Sequence, residues 1–153
     1  MRLVTTALLV SLVACSHHKT DRGFDRDTQK KLLIDRNWID VMPKTERDKL
    51  HVYRFVPTMG GGVYQDRTIF KGTFELFQFE ATDSQIRFNL LETHDKVTVP
   101  YTIEHVDGPA PFELKLTIPG DPRGPVTYYG IRAETDSDGH VLEQELRSKV
   151  ASH

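Results

Sequence analysis

The chain has very little cysteine: Cys15 is the only one, so no disulfide can form within it. Its stability must come from apolar burial and strand pairing. It also lacks an excess of either charge, with 20 Lys and Arg against 22 Asp and Glu. The basic residues are scattered, without the stripe of a nucleic-acid-binding protein or the polybasic cluster of an electrostatic membrane anchor. We therefore expect no nucleic-acid partner, and 153 residues suit a single domain.

Long hydrophobic runs are absent too, and the one apolar run is short. It covers residues 3–13, follows the positive charge of Arg2, and is interrupted only by Thr5, Thr6 and Ser11. As a helix it would measure roughly 16 Å, whereas a hydrocarbon core is about 30 Å thick. The run is therefore typical of a signal peptide rather than of a membrane span.

The residues that end this run form a second signal. Leu12-Val13-Ala14-Cys15 resembles the lipobox of bacterial lipoproteins. The resemblance implies that residues 1–14 are a signal peptide removed after Ala14 and that Cys15 receives diacylglyceryl and further acyl (palmitate) chains. Two or three such chains anchor a soluble domain stably, whereas one does not. By the same resemblance, Ser16 rather than Asp at the next position points to the outer membrane of a cell that has two membranes. Two alternatives are open: an ordinary signal peptidase could cleave after Ser16 and discard the cysteine, or Cys15 could be merely an apolar residue of the leader.

Residues 15–28 are predicted to be the lipidated cysteine and a polar tether, and residues 29–153 a β-barrel domain. The tether has no periodicity and a single aromatic residue. A short helical turn is expected from Gln29 to Ile34, capped by Asp27 or Thr28 and plugging one end of the barrel. Near the C-terminus, the apolar residues from Val141 to Val150 recur at helical spacing, which predicts a short amphipathic helix packed on the barrel.

Between these helices the hydrophobic pattern has a period of two, which indicates half-buried antiparallel strands. The predicted strands are 38–42, 51–57, 63–70, 73–80, 84–91, 96–106, 111–118 and 125–134. Short turns rich in Gly, Pro and Asp separate them, so sequence neighbours should pair. The predicted fold is mainly β, an eight-stranded antiparallel up-and-down barrel, because closure of the sheet removes its exposed edges.

Three segments carry a more specific signal: Lys71-Gly72-Thr73-Phe74-Glu75-Leu76, Ile86-Arg87-Phe88 and Tyr101-Thr102-Ile103. With the plug helix and a Trp at the start of the first strand, they resemble the lipocalin/calycin class over residues 28–134. Lipocalins have Gly-x-Trp at that strand, and here Arg36 precedes Asn37-Trp38. In that family an Arg near the end of the last strand stacks on the Trp, and Arg132 matches it. An unrelated surface Arg beside a core Trp is the alternative.

The sequence contains no catalytic constellation, so we expect a non-enzyme without cofactor or metal. Cys15 is committed to lipid, no Gly-x-Ser-x-Gly elbow occurs, and the histidines are not spaced as ligands. Asp136-Ser137-Asp138-Gly139 begins like a calcium loop but lacks its completion, so a plain turn is expected. Gly60-Gly61-Gly62 is expected to be a hairpin loop, because no phosphate-binding helix follows.

Two functions remain open: an envelope protein–protein interaction or assembly component, held at the membrane by Cys15, or a carrier of one small apolar ligand. An eight-stranded barrel has an interior that side chains fill or that holds one such molecule. The fourteen aromatic residues favour a filled interior. The candidate ligand-binding residues are Trp38, Tyr53, Phe88, Tyr101, Tyr128 and Arg132.

Overall fold

The computed structural model describes residues 23–34, 36–132 and 140–151. The predicted mainly β fold with two helices is confirmed in these residues, as a nearly closed, barrel-shaped antiparallel sheet. The described strands number nine rather than eight. Their order in the sheet is β6-β5-β4-β3-β2-β1-β9-β8-β7.

The elements are short and closely follow one another. The helices are α1 (Arg26–Leu33) and α2 (His140–Ala151). The strands are β1 (Asn37–Ile39), β2 (Leu50–Val56), β3 (Gly61–Arg67), β4 (Gly72–Ala81), β5 (Gln85–Leu90), β6 (Lys96–Pro100), β7 (Thr102–His105), β8 (Leu114–Thr117) and β9 (Thr127–Gly130).

The ninth strand arises because the predicted strand 96–106 divides at Tyr101. Before this residue, β6 pairs with β5, and after it β7 pairs with β8. Pro100, the last residue of β6, has no N–H to donate to a further ladder bond. Tyr101 donates its own N–H to the carbonyl of Ser84 at 3.0 Å. One segment thus changes neighbours within two residues and supplies both edges of the sheet.

Helix α1 begins earlier than the sequence pattern suggested, inside the segment assigned to the tether. Its N-cap is Asp25 rather than Asp27 or Thr28: the Asp25 carboxylate accepts from the Thr28 N–H at 3.0 Å and from the Thr28 hydroxyl at 2.5 Å. An N-cap acceptor satisfies backbone donors that a helix start otherwise leaves unpaired.

Helix α1 closes one end of the barrel, called here the helix end. Leu33 is fully buried among the interior side chains, and its carbonyl accepts the indole N–H of Trp38 at 3.0 Å. Gln29 accepts the N–H of Ile103 on β7 at 3.0 Å. The opposite end, called the open end, carries the loops 40–49, 68–71, 91–95 and 118–126.

Apolar residues form two clusters, one inside the barrel and one outside it. The outer cluster lies between α2 and the outward faces of β1, β2 and β9. Leu142 and Leu146 of α2 are buried there against Ile39, Leu50 and Val52. Alternation along a strand explains both clusters, because successive side chains point to opposite faces of the sheet.

The triple glycine, predicted to be a hairpin loop, divides between a turn and a strand: Gly60 ends the connection between β2 and β3, whereas Gly61 and Gly62 are the first residues of β3 and pair with β2. Residues 57–59 make a 3-10 turn that ends at Gly60, whose φ of 77° favours glycine. A Cβ at Gly62 would lie 2.4 Å from Cζ of Phe77, so glycine is required there for close packing.

Candidate functional site

The structure places five of the six predicted ligand-binding residues in the interior of the barrel. They are buried members of one cluster: Trp38, Tyr53, Phe88, Tyr101 and Tyr128. Arg132 is exposed and lies outside this cluster. Sequence alternation therefore identified inward-facing positions on five strands or strand junctions, although it did not indicate how much space lies between them.

Tyr53 occupies the centre of this interior. Its ring centroid lies 4.8 to 5.9 Å from those of Phe55, Tyr64, Phe77, Phe88 and Tyr128. These are contact distances for aromatic pairs. Rings from four neighbouring strands and from β9 therefore meet at the middle of the barrel and occupy the volume in which a carrier would hold its ligand.

The cation beside Trp38 is Arg36, not Arg132. The guanidinium carbon of Arg36 lies 5.9 Å from the ring centroid of Trp38, and Arg36 donates to the carbonyl of Ile131 at 3.2 Å. Arg132 lies instead over the ring of Phe24, at 5.9 Å. The residue at the position of the glycine in the lipocalin pattern, directly before β1, thus contributes the cation beside the Trp.

A buried carboxylate lies inside the open end of the barrel. Asp121, only 9% exposed, accepts from the hydroxyls of Tyr53 at 2.8 Å and Tyr128 at 2.6 Å. It also accepts the N–H of Arg123 at 2.9 Å. These bonds draw loop 118–126 into the barrel mouth. In the sequence this loop is one of the short turns rich in Gly, Pro and Asp, and only the general need of a buried tyrosine hydroxyl for a partner points to an acceptor such as Asp121.

Burial sets the protonation behaviour of this group. Burial raises the pKa of the Asp121 carboxyl above its ordinary value, although the hydrogen bonds from Tyr128, Arg123 and Tyr53 act in the opposite direction. Burial, reinforced by the charge of Asp121, raises the pKa of both Tyr53 and Tyr128 far above that of a free phenol. Both phenols therefore remain hydrogen-bond donors at any physiological pH.

Arg123 fixes the same loop from its other side. Its guanidinium carbon lies 4.8 Å from the ring centroid of Tyr64 and 5.4 Å from that of Phe77, and it pairs with the carboxylate of Glu75. The Arg123 side chain is only 7% exposed. Stacking of a poorly solvated guanidinium on aromatic faces strengthens this attachment.

Two further aspartates hold the neighbouring loop 40–49. Asp48 accepts the N–H groups of Lys44 and Thr45 at 2.9 and 3.0 Å. Asp40 accepts the N–H of His51 at 2.7 Å, and its other oxygen lies 2.6 Å from His51 Nδ1. Loops 40–49 and 118–126 of the open end are thus held by side-chain hydrogen bonds, which makes them ordered surfaces on a rigid barrel.

The outward faces of β3, β4 and β5, called here the outer wall, carry two adjacent grooves. One has a volume of about 200 Å³ and is mostly apolar, with Met59, Val63, Leu76 and Leu91 among its lining residues. The other has a volume of about 360 Å³ and is lined by polar and charged side chains. Gly60 and Gln78 line both grooves.

Several features predicted from the sequence lie outside the residues that the structure describes. Cys15, the signal peptide and the turn at 136–139 lie outside them. Within residues 23–34, 36–132 and 140–151, no group of His, Cys, Asp and Glu is arranged to hold a metal ion. No helix in this part of the chain is both long and apolar enough to cross a bilayer.

Comparisons with known proteins give no relative. No protein-family model matches the chain, and no curated protein and no solved structure is significantly similar to it.

Proposed function

We propose that this chain is a lipid-anchored protein of the bacterial outer membrane that binds another envelope protein, with a barrel that acts as a rigid scaffold. The observation that carries the scaffold role is the aromatic filling around Tyr53, whose ring centroid lies within 5.9 Å of five other rings. A carrier for a small molecule would need a pocket of a few hundred Å³ at this place. The proposal includes no catalytic step.

The open end supports a role in binding. Two of its loops, 40–49 and 118–126, are held in place by Asp40, Asp48 and Asp121 before any partner arrives. A pre-ordered surface loses less conformational entropy on association, which favours affinity. Loops placed on a rigid scaffold are also where binding residues are concentrated in proteins generally.

The membrane anchor rests on the lipobox-like Leu12-Val13-Ala14-Cys15. We further propose that the barrel is related to the up-and-down barrels of lipocalins. The support is that α1 closes the end of the barrel at which Trp38 lies, where Trp38 donates to the Leu33 carbonyl of the helix. The lipocalin-like ligand carrier remains the second candidate, although the filled interior favours the scaffold.

The experiment has one arm for the anchor and one for the barrel. Cys15→Ser should leave an uncleaved precursor and abolish incorporation of labelled palmitate. The control Ser16→Ala should still be cleaved and should still incorporate palmitate. Fatty acids titrated into the mature protein should leave the fluorescence of Trp38, the single tryptophan, unchanged. Saturable quenching at micromolar ligand would identify a carrier and contradict the scaffold.

Partner binding is tested by crosslinking in the envelope. A photoreactive residue at Arg47, exposed in loop 40–49, should form one discrete crosslinked species, and the same residue at exposed Gln144 of α2 should form none. Equal labelling at both positions would indicate random collision and contradict a binding site at the open end.

A further inference from the structure

The outer wall carries large apolar side chains that nothing in the described structure covers. Phe70 is 69% exposed, Phe74 67% and Met59 75%, and Leu76 and Leu91 are also exposed. We call these five residues the wall patch. Exposed apolar groups that lie together mark interaction sites for proteins or membranes.

The wall patch is continuous. Phe74 and Leu76 are two residues apart on the outward face of β4, where they pair with Gln65 and Val63 of β3. Leu76, Leu91 and Met59 line the same apolar groove. Phe70 and Phe74 line a neighbouring groove with Lys71. The patch therefore extends along the wall from the hairpin at Gly60 to loop 68–71, which contains Phe70.

Positive charge lies beside the wall patch. Arg87 and Lys96 line the polar groove that adjoins the apolar one, and Lys71 lies next to Phe70. Glu80 is the one acidic residue among those that line these three grooves, and its ion pair with Arg87, at 3.4 Å, is exposed to solvent and therefore weak. The sequence shows no polybasic segment, but folding brings these three cations to one face.

The anchor restricts which surroundings this wall meets. Residues 16–22 separate Cys15 from Gly23, which forms an antiparallel bridge with Glu104 of β7. Fully extended, this connection reaches about 28 Å, which is less than the diameter of roughly 35 Å expected for a domain of this size. An anchor at Cys15 would therefore hold Gly23 within about 28 Å of the bilayer and keep the whole barrel close to the lipid surface.

We propose that the outer wall is the side that docks on the bilayer. The wall patch enters the headgroup region, and Lys71, Arg87 and Lys96 contact the phosphates of anionic phospholipids. Aromatic and aliphatic side chains flanked by cations have the chemistry of an interfacial membrane-binding face. This inference rests on the proposed anchor at Cys15, and it leaves the open end accessible to a protein partner.

The test uses the mature protein in vesicles of phosphatidylcholine and phosphatidylglycerol, with a tryptophan reporter on the wall. Phe74→Trp should show blue-shifted emission that lipids brominated on their acyl chains quench. The control is Val126→Trp, at an exposed position before β9, which should remain unquenched. Trp38 is fully buried and adds the same background to both proteins.

A second comparison tests the cations. In the reporter protein, Arg87→Gln with Lys96→Gln should shift the docking equilibrium roughly thirtyfold toward the undocked form, since each cation near an anionic surface contributes about a factor of five to six. Arg87→Lys, which keeps the charge, should dock like the parent. Equal docking on vesicles of phosphatidylcholine alone would contradict the role assigned to the cations.

Intact mass separates failure of the anchor from failure of the wall. If the protein is acylated and Phe74→Trp is as unquenched as Val126→Trp, membrane docking is wrong while the anchor stands. If the acyl mass is absent, the proposed anchor is wrong. Quenching of Phe74→Trp on added vesicles then tests membrane docking of the outer wall independently: quenching supports it and no quenching contradicts it. A blue shift of the Phe74→Trp emission that occurs without vesicles and increases with protein concentration would show that a second copy of the chain covers the wall patch. This result would overturn membrane docking.

Discussion

Removing the carboxylate of Asp121 should destabilise the barrel more than its small side chain suggests. Asp121→Ala leaves the hydroxyls of Tyr53 and Tyr128 without their acceptor in a dry interior, since both tyrosines are fully buried. Each buried donor left unpaired costs about 1–3 kcal/mol. With two such donors, we expect the free energy of unfolding to fall by about 2–6 kcal/mol.

The origin of this loss can be separated by repeating the substitution after both hydroxyls have been removed. In a Tyr53→Phe, Tyr128→Phe background no phenol is orphaned, so Asp121→Ala should cost at least about 2 kcal/mol less than in the parent. Urea unfolding followed by the fluorescence of Trp38, with unchanged m-values, gives both numbers. A cost below about 1 kcal/mol in the parent, or the same cost in both backgrounds, would refute the reasoning.

Two further predictions concern the same interior. Gly130→Ala should destabilise the fold by about 1–3 kcal/mol, because a Cβ there would lie 3.0 Å from two ring atoms of Trp38. Thermal unfolding should show a smaller loss when the same substitution is made in a Trp38→Leu background, which lacks these ring atoms. The pKa of Asp121 is raised in the folded state, so the native protein holds this proton more tightly than the unfolded chain. The free-energy cost of ionising Asp121 in the folded protein is absent below pH 3.8, the ordinary pKa of the carboxyl group. This cost grows as the pH rises through the raised pKa of the folded state. The stability of the parent relative to Asp121→Asn should therefore increase on acidification through that window, and a pH-independent difference in urea midpoints would contradict the assignment.

Most of the strand framework was predictable because alternation is a local signal. The strands around Phe88, Ile103 and Leu116 show a clear period of two, and each predicted strand from 51–57 to 84–91 overlaps a single observed strand. The division at Tyr101 was not predictable in this way. Alternation continues across it, since Val99, Tyr101 and Ile103 all face the interior, and only the change of neighbour reveals the break.

The residues of the candidate site were less accessible to sequence reasoning. Asp121 and Arg123 lie in a stretch of Pro and Gly that indicates a turn, and nothing local shows that this turn enters the barrel. His51 looked isolated because its partner, Asp40, lies 11 residues away across the β1–β2 hairpin. Strand alternation places Arg36 and Trp38 on one face and could have predicted their contact. The contact was missed because the family resemblance indicated Arg132 as the partner of Trp38.

The position of β1 has a consequence for the order in which the chain folds. β1 pairs with β2 next to it in sequence and also with β9, where Ile39 lies opposite Tyr129. Arg36 reaches the carbonyl of Ile131 across the same junction. Strands β2 to β6 form a meander of local hairpins that can assemble as the chain emerges, but β1 gains its second neighbour only after some ninety further residues are available. Contacts of such large sequence separation form slowly. If the chain crosses a membrane N-terminus first, as the proposed lipid anchor implies, closure of the barrel must wait until nearly the whole polypeptide has been delivered, and until then the first strand has only one partner.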